Sequence, residues 1–115
     1  MEIFQFDRGE REIGYHGSHG LTATRVATVE GQVTVTCLSL AAGGAVGTHP
    51  ASGTQLFMVT SGSGWVAGAG GDRVPLGPGW GVRWEQGEVH TSGTDEGMVA
   101  LAVEGAPLGL FTPEV

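Results

Sequence analysis

Apolar residues along this chain alternate with polar ones or gather into short β-branched runs, and the three-and-four spacing of a helix face is almost absent. The segments "TATRVATV" (22–29), "VTVTCLSL" (33–40), "QLFMVTSG" (55–62), "GWVAG" (64–68), "WGVRWE" (80–85) and "MVALAVEG" (98–105) carry the residue types that pack on a pleated surface. Each is predicted to be a strand. Glycine punctuates them, at 22 of 115 residues, where an average chain holds about 7%. "GAGGD" (68–72) reads as a hairpin turn. Short strands with glycine-rich turns predict an antiparallel sandwich or barrel. The two ends, roughly 1–20 and 106–115, are less regular and are expected to cap the barrel or pair with another chain.

Alternation also sorts side chains by face. Residues two apart on a strand point the same way, so Gln55, Phe57 and Val59 form one set and Leu56, Met58 and Thr60 the other. Trp80, Val82 and Trp84 share a parity that predicts an inward apolar face, and Glu88, His90 and Ser92 share one if their segment is extended. Trp65, Trp80, Trp84 and Phe57 are candidates for the aromatic wall of a ligand cavity, core packing being the commoner use of such residues. Cys37, inside "VTVTCLSL", is expected to be a buried thiol in a core strand.

Composition narrows the classes of function. A chain of this length holds one core, hence a single domain over 1–115. Twelve acidic against five basic residues leave a formal charge of −7, which repels phosphate backbones and anionic lipid surfaces. Neither nucleic acid nor a membrane is therefore an expected partner. No run approaches the roughly 20 apolar residues of a membrane span, and "MEIFQFDRGE" lacks the basic and apolar regions of a leader, so a cytoplasmic protein is expected. One cysteine allows no intrachain disulfide, and the absence of lysine removes Schiff-base chemistry. "SGSGWVAGAGG" is no dinucleotide fingerprint, because a strand follows it where a helix would have to meet the pyrophosphate.

The histidines are the most informative feature. His49 ends "AAGGAVGTHP", Gln55 opens the next predicted strand, and His90 lies in "WEQGEVH". This spacing resembles the cupin family. The family's first motif, G-x5-H-x-H-x3,4-E-x6-G, becomes Gly43, five residues, His49, Pro50, Ala51, three residues, Gln55, six residues and Gly62. Its second motif, G-x5-P-x-G-x2-H-x3-N, keeps Gly87 and His90, with Glu85 where proline is expected and Thr94 where asparagine is expected. "GPGW" (77–80) looks like the family's turn before the next strand, and the resemblance covers about residues 35–103.

The resemblance implies an all-β, double-stranded β-helix, the jelly-roll barrel of cupins, with pairing into a homodimer through the N-terminal strand. Cupin metalloenzymes use three imidazoles and one carboxylate, which would map onto His49, Ala51, Gln55 and His90. Ala51 cannot bind a metal, and Gln55 offers a neutral carbonyl oxygen. What is implied is a reduced His49–Gln55–His90 set for a divalent ion (zinc, manganese, iron, nickel or copper), with Glu88 as candidate fourth ligand or base and with Phe57 and Trp84 lining the pocket. Three functions stay open: a metal-dependent oxygenase, isomerase or lyase; a metal-free pocket whose His49, Gln55 and His90 hydrogen-bond a small organic ligand; and a structural dimerisation module. His16 and His19, in "YHGSHG", have a spacing that suits metals but no partner cluster, so a solvated loop is expected.

Overall fold

The computed structural model describes residues 1–111. In chain order the strands are β1 (Glu2–Gln5), β2 (Arg11–Glu12), β3 (Thr22–Ala23), β4 (Ala27–Val29), β5 (Val33–Leu40), β6 (Ala45–Pro50), β7 (Gln55–Gly62), β8 (Gly64–Gly68), β9 (Arg73–Leu76), β10 (Trp80–Trp84), β11 (Val89–Gly93), β12 (Met98–Gly105) and β13 (Leu108–Leu110). A single 3₁₀ turn, Tyr15–Gly17, is the one helical element among the described residues. None of their helices is long and apolar enough to cross a membrane.

Two antiparallel sheets make the body: a five-stranded sheet in the order β1-β10-β7-β12-β5, and a four-stranded sheet in the order β6-β11-β8-β9. The inward residues of both meet in one buried cluster, with Phe57, Val59, Val82, Trp84, Met98 and Ala100 from the larger sheet and Val66 and Leu76 from the smaller. Period-2 alternation produces this directly: Val59 and Phe57, Val82 and Trp84, and Met98 and Ala100 are each two apart. The predicted antiparallel barrel is the observed one.

Four local expectations change. The segment 22–29 is two short strands because its middle bonds elsewhere: the Thr24 hydroxyl accepts from Arg8 N–H at 3.1 Å, and the Arg8 guanidinium donates to the Arg25 carbonyl at 3.4 Å. A hydroxyl that satisfies a loop backbone competes with the ladder. The N-terminal segment, expected to cap the barrel or pair with another chain, contributes a strand to the chain's own larger sheet, β1 pairing with β10 along Glu2–Gln5. Cys37 is exposed rather than buried. It lies on β5, an edge of the larger sheet, whose inward parity belongs to Thr36 and Leu38, while Val35 on the outward side is 60% exposed. Trp80 has the inward parity of Val82 and Trp84 yet is 43% exposed, because it stands at the first residue of β10, where the barrel opens.

Candidate functional site

His49 and His90 are partners in the antiparallel register of β6 and β11, and Gln55 and Trp84 are partners in that of β7 and β10. Directly opposed residues share a face. The first pair comes from the smaller sheet and the second from the larger, and all four side chains line one cavity, with His90 and Trp84 buried and His49 exposed. The imidazoles of His49 and His90 have centroids 4.4 Å apart at a tilt of 60°, and the Trp84 indole stacks on His90 at 4.5 Å and 16°. Together they line a cavity of about 200 Å³ whose walls also include Thr36, Phe57 and Ser92.

Backbone carbonyls aim both imidazoles. His49 Nδ1 lies 2.6 Å from the Gly47 carbonyl oxygen and His90 Nδ1 lies 2.9 Å from that of Glu88. A carbonyl oxygen only accepts, so Nδ1 carries the proton in each neutral ring and Nε2 keeps its lone pair. This is the outer tether that metal-ligating imidazoles use to fix tautomer and orientation, and it serves a hydrogen-bond acceptor equally well. Among the described residues the cavity lining contains no carboxylate and no arginine.

Burial holds the His90 imidazolium below the usual histidine range. The Glu88 carbonyl opposes that shift, the neighbouring His49 adds to it, and the Glu88 charge opposes it. A ring that is harder to protonate when folded binds fewer protons than the unfolded chain between its folded value and about 6.5, so stability rises with pH across that window. The metal-free protein is therefore expected to lose stability as pH falls from about 6.5. Urea midpoints of wild type and His90→Gln over that range check this: the variant should show a flatter slope, and equal slopes would reject His90 as the source.

Searches with this sequence find no matching family model and no matching curated protein. Solved structures do match. A cupin superfamily protein from Desulfitobacterium hafniense is similar over 90% of this chain and 97% of its own, with TM-score 0.59 and 15% identity. A cupin 2 conserved barrel domain protein from Salinispora arenicola is similar over 93% and 90%, with TM-score 0.59 and 19% identity. A cupin-like protein from Thermotoga maritima matches 70% of this chain and 65% of its own, with TM-score 0.60 and 23% identity. The chain has the cupin fold.

Within the cupin barrel, the glycines of both motifs take backbone conformations that other residues resist: φ is +77° at Gly43, +72° at Gly62 and +84° at Gly87. The residues singled out from sequence separate in space. His49, Gln55, His90, Phe57 and Trp84 line one cavity. Glu88 does not: its carboxylate accepts from the Glu85 N–H at 3.0 Å and pairs with the Met1 ammonium, beside Arg83 and Gln86 on another surface. Burial pushes the Glu88 carboxyl up, but the Met1 ammonium, the Glu85 N–H and the nearby His90 together hold it below its ordinary value. The alternation that put Glu88 beside His90 fails because β11 starts at Val89, after the Gln86–Gly87 turn.

Ala51 is 5% exposed and belongs to the buried cluster of Phe57 and Trp84. His16 and His19 are exposed near the 3₁₀ turn, and no group of three His, Cys, Asp or Glu side chains converges among the described residues. The wall also holds Thr36, Leu38, Val46, Ser92 and Ala102. Of these only Ser92 carried a sequence signal, its parity with His90. Thr36 and Leu38 could have been found the same way had the inward face of β5 been known.

Proposed function

We propose that the cupin cavity is a small-molecule site in which His49, His90 and Gln55 hold a divalent transition metal. The observation that supports this reading is the pair of backbone tethers, which occupy Nδ1 of both imidazoles and leave each Nε2 lone pair available in rings that line one cavity with Gln55. The donor chemistry fits: two neutral imidazoles and an amide oxygen suit late first-row ions such as zinc, copper or nickel better than magnesium or calcium. A neutral set binds less tightly than one with a carboxylate, since nothing in the wall offsets the ion's charge. When bound, the ion would supply a Lewis-acidic position with open coordination sites. The chain's own residues set the rest of the site. Trp84 and Phe57 keep one side dry and flat, while the Ser92 and Thr36 side chains offer hydroxyls to an oxygenated ligand.

Metal content of untagged protein purified without chelators tests the proposal. Titration with zinc, nickel and copper should reach about one equivalent. His90→Ala should abolish uptake and His16→Ala should leave it intact, whereas uptake below about a tenth of an equivalent in the wild type would remove the metal. One observation favours a second reading, a metal-free pocket for a neutral organic ligand: the absence of any carboxylate or arginine from the cavity wall among the described residues. It would show as a ligand-dependent rise in melting temperature in chelator-treated protein, with about 2.7 kcal/mol expected at a hundredfold excess over Kd. No rise across a broad compound library would count against it.

A further inference from the structure

The other end of the barrel holds a second concavity. Strand β7 runs from Gln55 at the imidazole cavity to Gly62, seven residues on, which at about 3.3 Å per residue puts the two ends on the order of 20 Å apart. There the β7–β8 connection at Ser63, the Gly77–Trp80 turn and the β11–β12 turn enclose an open depression of about 920 Å³. Its deepest lining residues are apolar, Leu76 buried and Ile3 partly buried, with Pro75, Pro78, Trp65 and Trp80 around them, and its only charged lining residues among the described ones are Asp95 and Glu96.

Three features distinguish this depression from an ordinary surface hollow. Trp80 is 43% exposed although its turn is fixed, with Gly79 N–H donating to the Val59 carbonyl at 3.1 Å and Trp80 N–H to that of Gly77 at 3.1 Å. Its place at the start of β10 leaves part of the indole open to solvent in the depression that it lines. The turn bearing Asp95 and Glu96 is equally fixed: buried Thr94 donates its hydroxyl to the Ser63 carbonyl at 2.6 Å, accepts from the Gly97 N–H at 2.9 Å, and its own N–H donates to the Gly44 carbonyl at 3.0 Å. Neither carboxylate is engaged in an ion pair among the described residues. Finally, the neighbouring Trp65 already binds a cation, the Arg73 guanidinium standing 3.8 Å from its ring centroid. Trp80 has no such occupant among the described residues.

We propose that this depression is a second binding site, for a small organic cation whose ammonium group is held against the Trp80 ring and beside the Asp95 and Glu96 carboxylates. Aromatic faces attract desolvated cations, and carboxylates on a turn whose backbone is already held add attraction with less to order on binding. The apolar floor selects for a ligand with an alkyl or aromatic body, which a metal ion lacks.

Choline and its uncharged isostere 3,3-dimethylbutanol are the probes, and the indole N–H resonances of the three tryptophans are the readout. Choline should shift the resonance that disappears in Trp80→Leu, saturating with Kd of about 1 mM, while the isostere binds at least about tenfold more weakly. Asp95→Asn with Glu96→Gln, which replaces exposed side chains and should fold normally, is expected to weaken choline at least about tenfold, as is added salt. Equal binding of the two probes would make the hollow merely greasy and overturn the proposal. So would no saturation by about 50 mM, unweakened binding in the double carboxamide variant, or an unchanged response of the remaining tryptophans in Trp80→Leu. A Trp80 resonance that depends on protein concentration and ignores choline would show a second copy of the chain covering this face, and would overturn it too.

Discussion

Trp84→Ala is expected to destabilise the barrel by about 3–5 kcal/mol, the range for emptying a buried tryptophan position. Trp84 is 1% exposed, lies among the largest fully buried side chains, and contributes to the same cluster as Phe57, Val59 and Val82. It also forms the flat wall against which His90 rests. Removal therefore does two things at once: it opens a void in the interior and lets water reach the imidazole. Against a total stability of about 5–15 kcal/mol for a domain of this kind, the loss is large. Urea unfolding followed by far-ultraviolet circular dichroism is the measurement, with the midpoint falling at an unchanged slope. Trp84→Phe, which keeps an aromatic ring against His90, should lose less. An alanine variant with the wild-type midpoint would mean that the ring is not packed as described.

Two glycines of the first cupin motif should respond very differently to alanine. Gly62, at φ +72°, closes the β7–β8 turn, and a methyl group there would collide with the Gly97 carbonyl oxygen and approach Met98 Cα at 3.0 Å. The left-handed backbone costs about 1–2 kcal/mol, and pushing β12 away from a paired strand adds about 1–3 kcal/mol. Gly43 has nearly the same backbone, φ +77°, but nothing lies within 4 Å of its added carbon, so only the first contribution of about 1–2 kcal/mol applies. Melting temperatures of the two variants separate backbone strain from collision. Equal losses would show that the Gly97 contact yields without resistance.

The strands whose boundaries were legible, β5, β7, β8 and β12, are those with unbroken β-branched or aromatic runs ended by glycine or a polar turn. Those not foreseen have other chemistry. Pro75 interrupts β9, which is tolerated because β9 is an edge strand, and β6 is built from small and polar residues. The approach of His49 to His90 across forty residues was legible only through motif spacing, since nothing local encodes the register that opposes them. Parity gave the face of Trp80 correctly but not its depth, because alternation says which side of a sheet a residue takes and nothing about how near the end of the barrel it lies. Cys37 was misread for a related reason. A strand at a sheet edge can keep a β-rich composition with its outward face in water. Glu88 shows the limit of extrapolating alternation by one residue past a strand's end.

Ala51 bears on how this cavity could change over evolutionary time. Its backbone is tied in both directions to the turn before β11, accepting from Gly87 N–H at 2.8 Å and donating to the Glu88 carbonyl at 3.0 Å, while its methyl group fills interior space shared with the aromatic core. An imidazole introduced there would meet a closed interior on one side and an immovable main chain on the other. An imidazole at this position therefore requires compensating reductions in neighbouring side chains, and Ala51→His alone is expected to cost stability by overpacking.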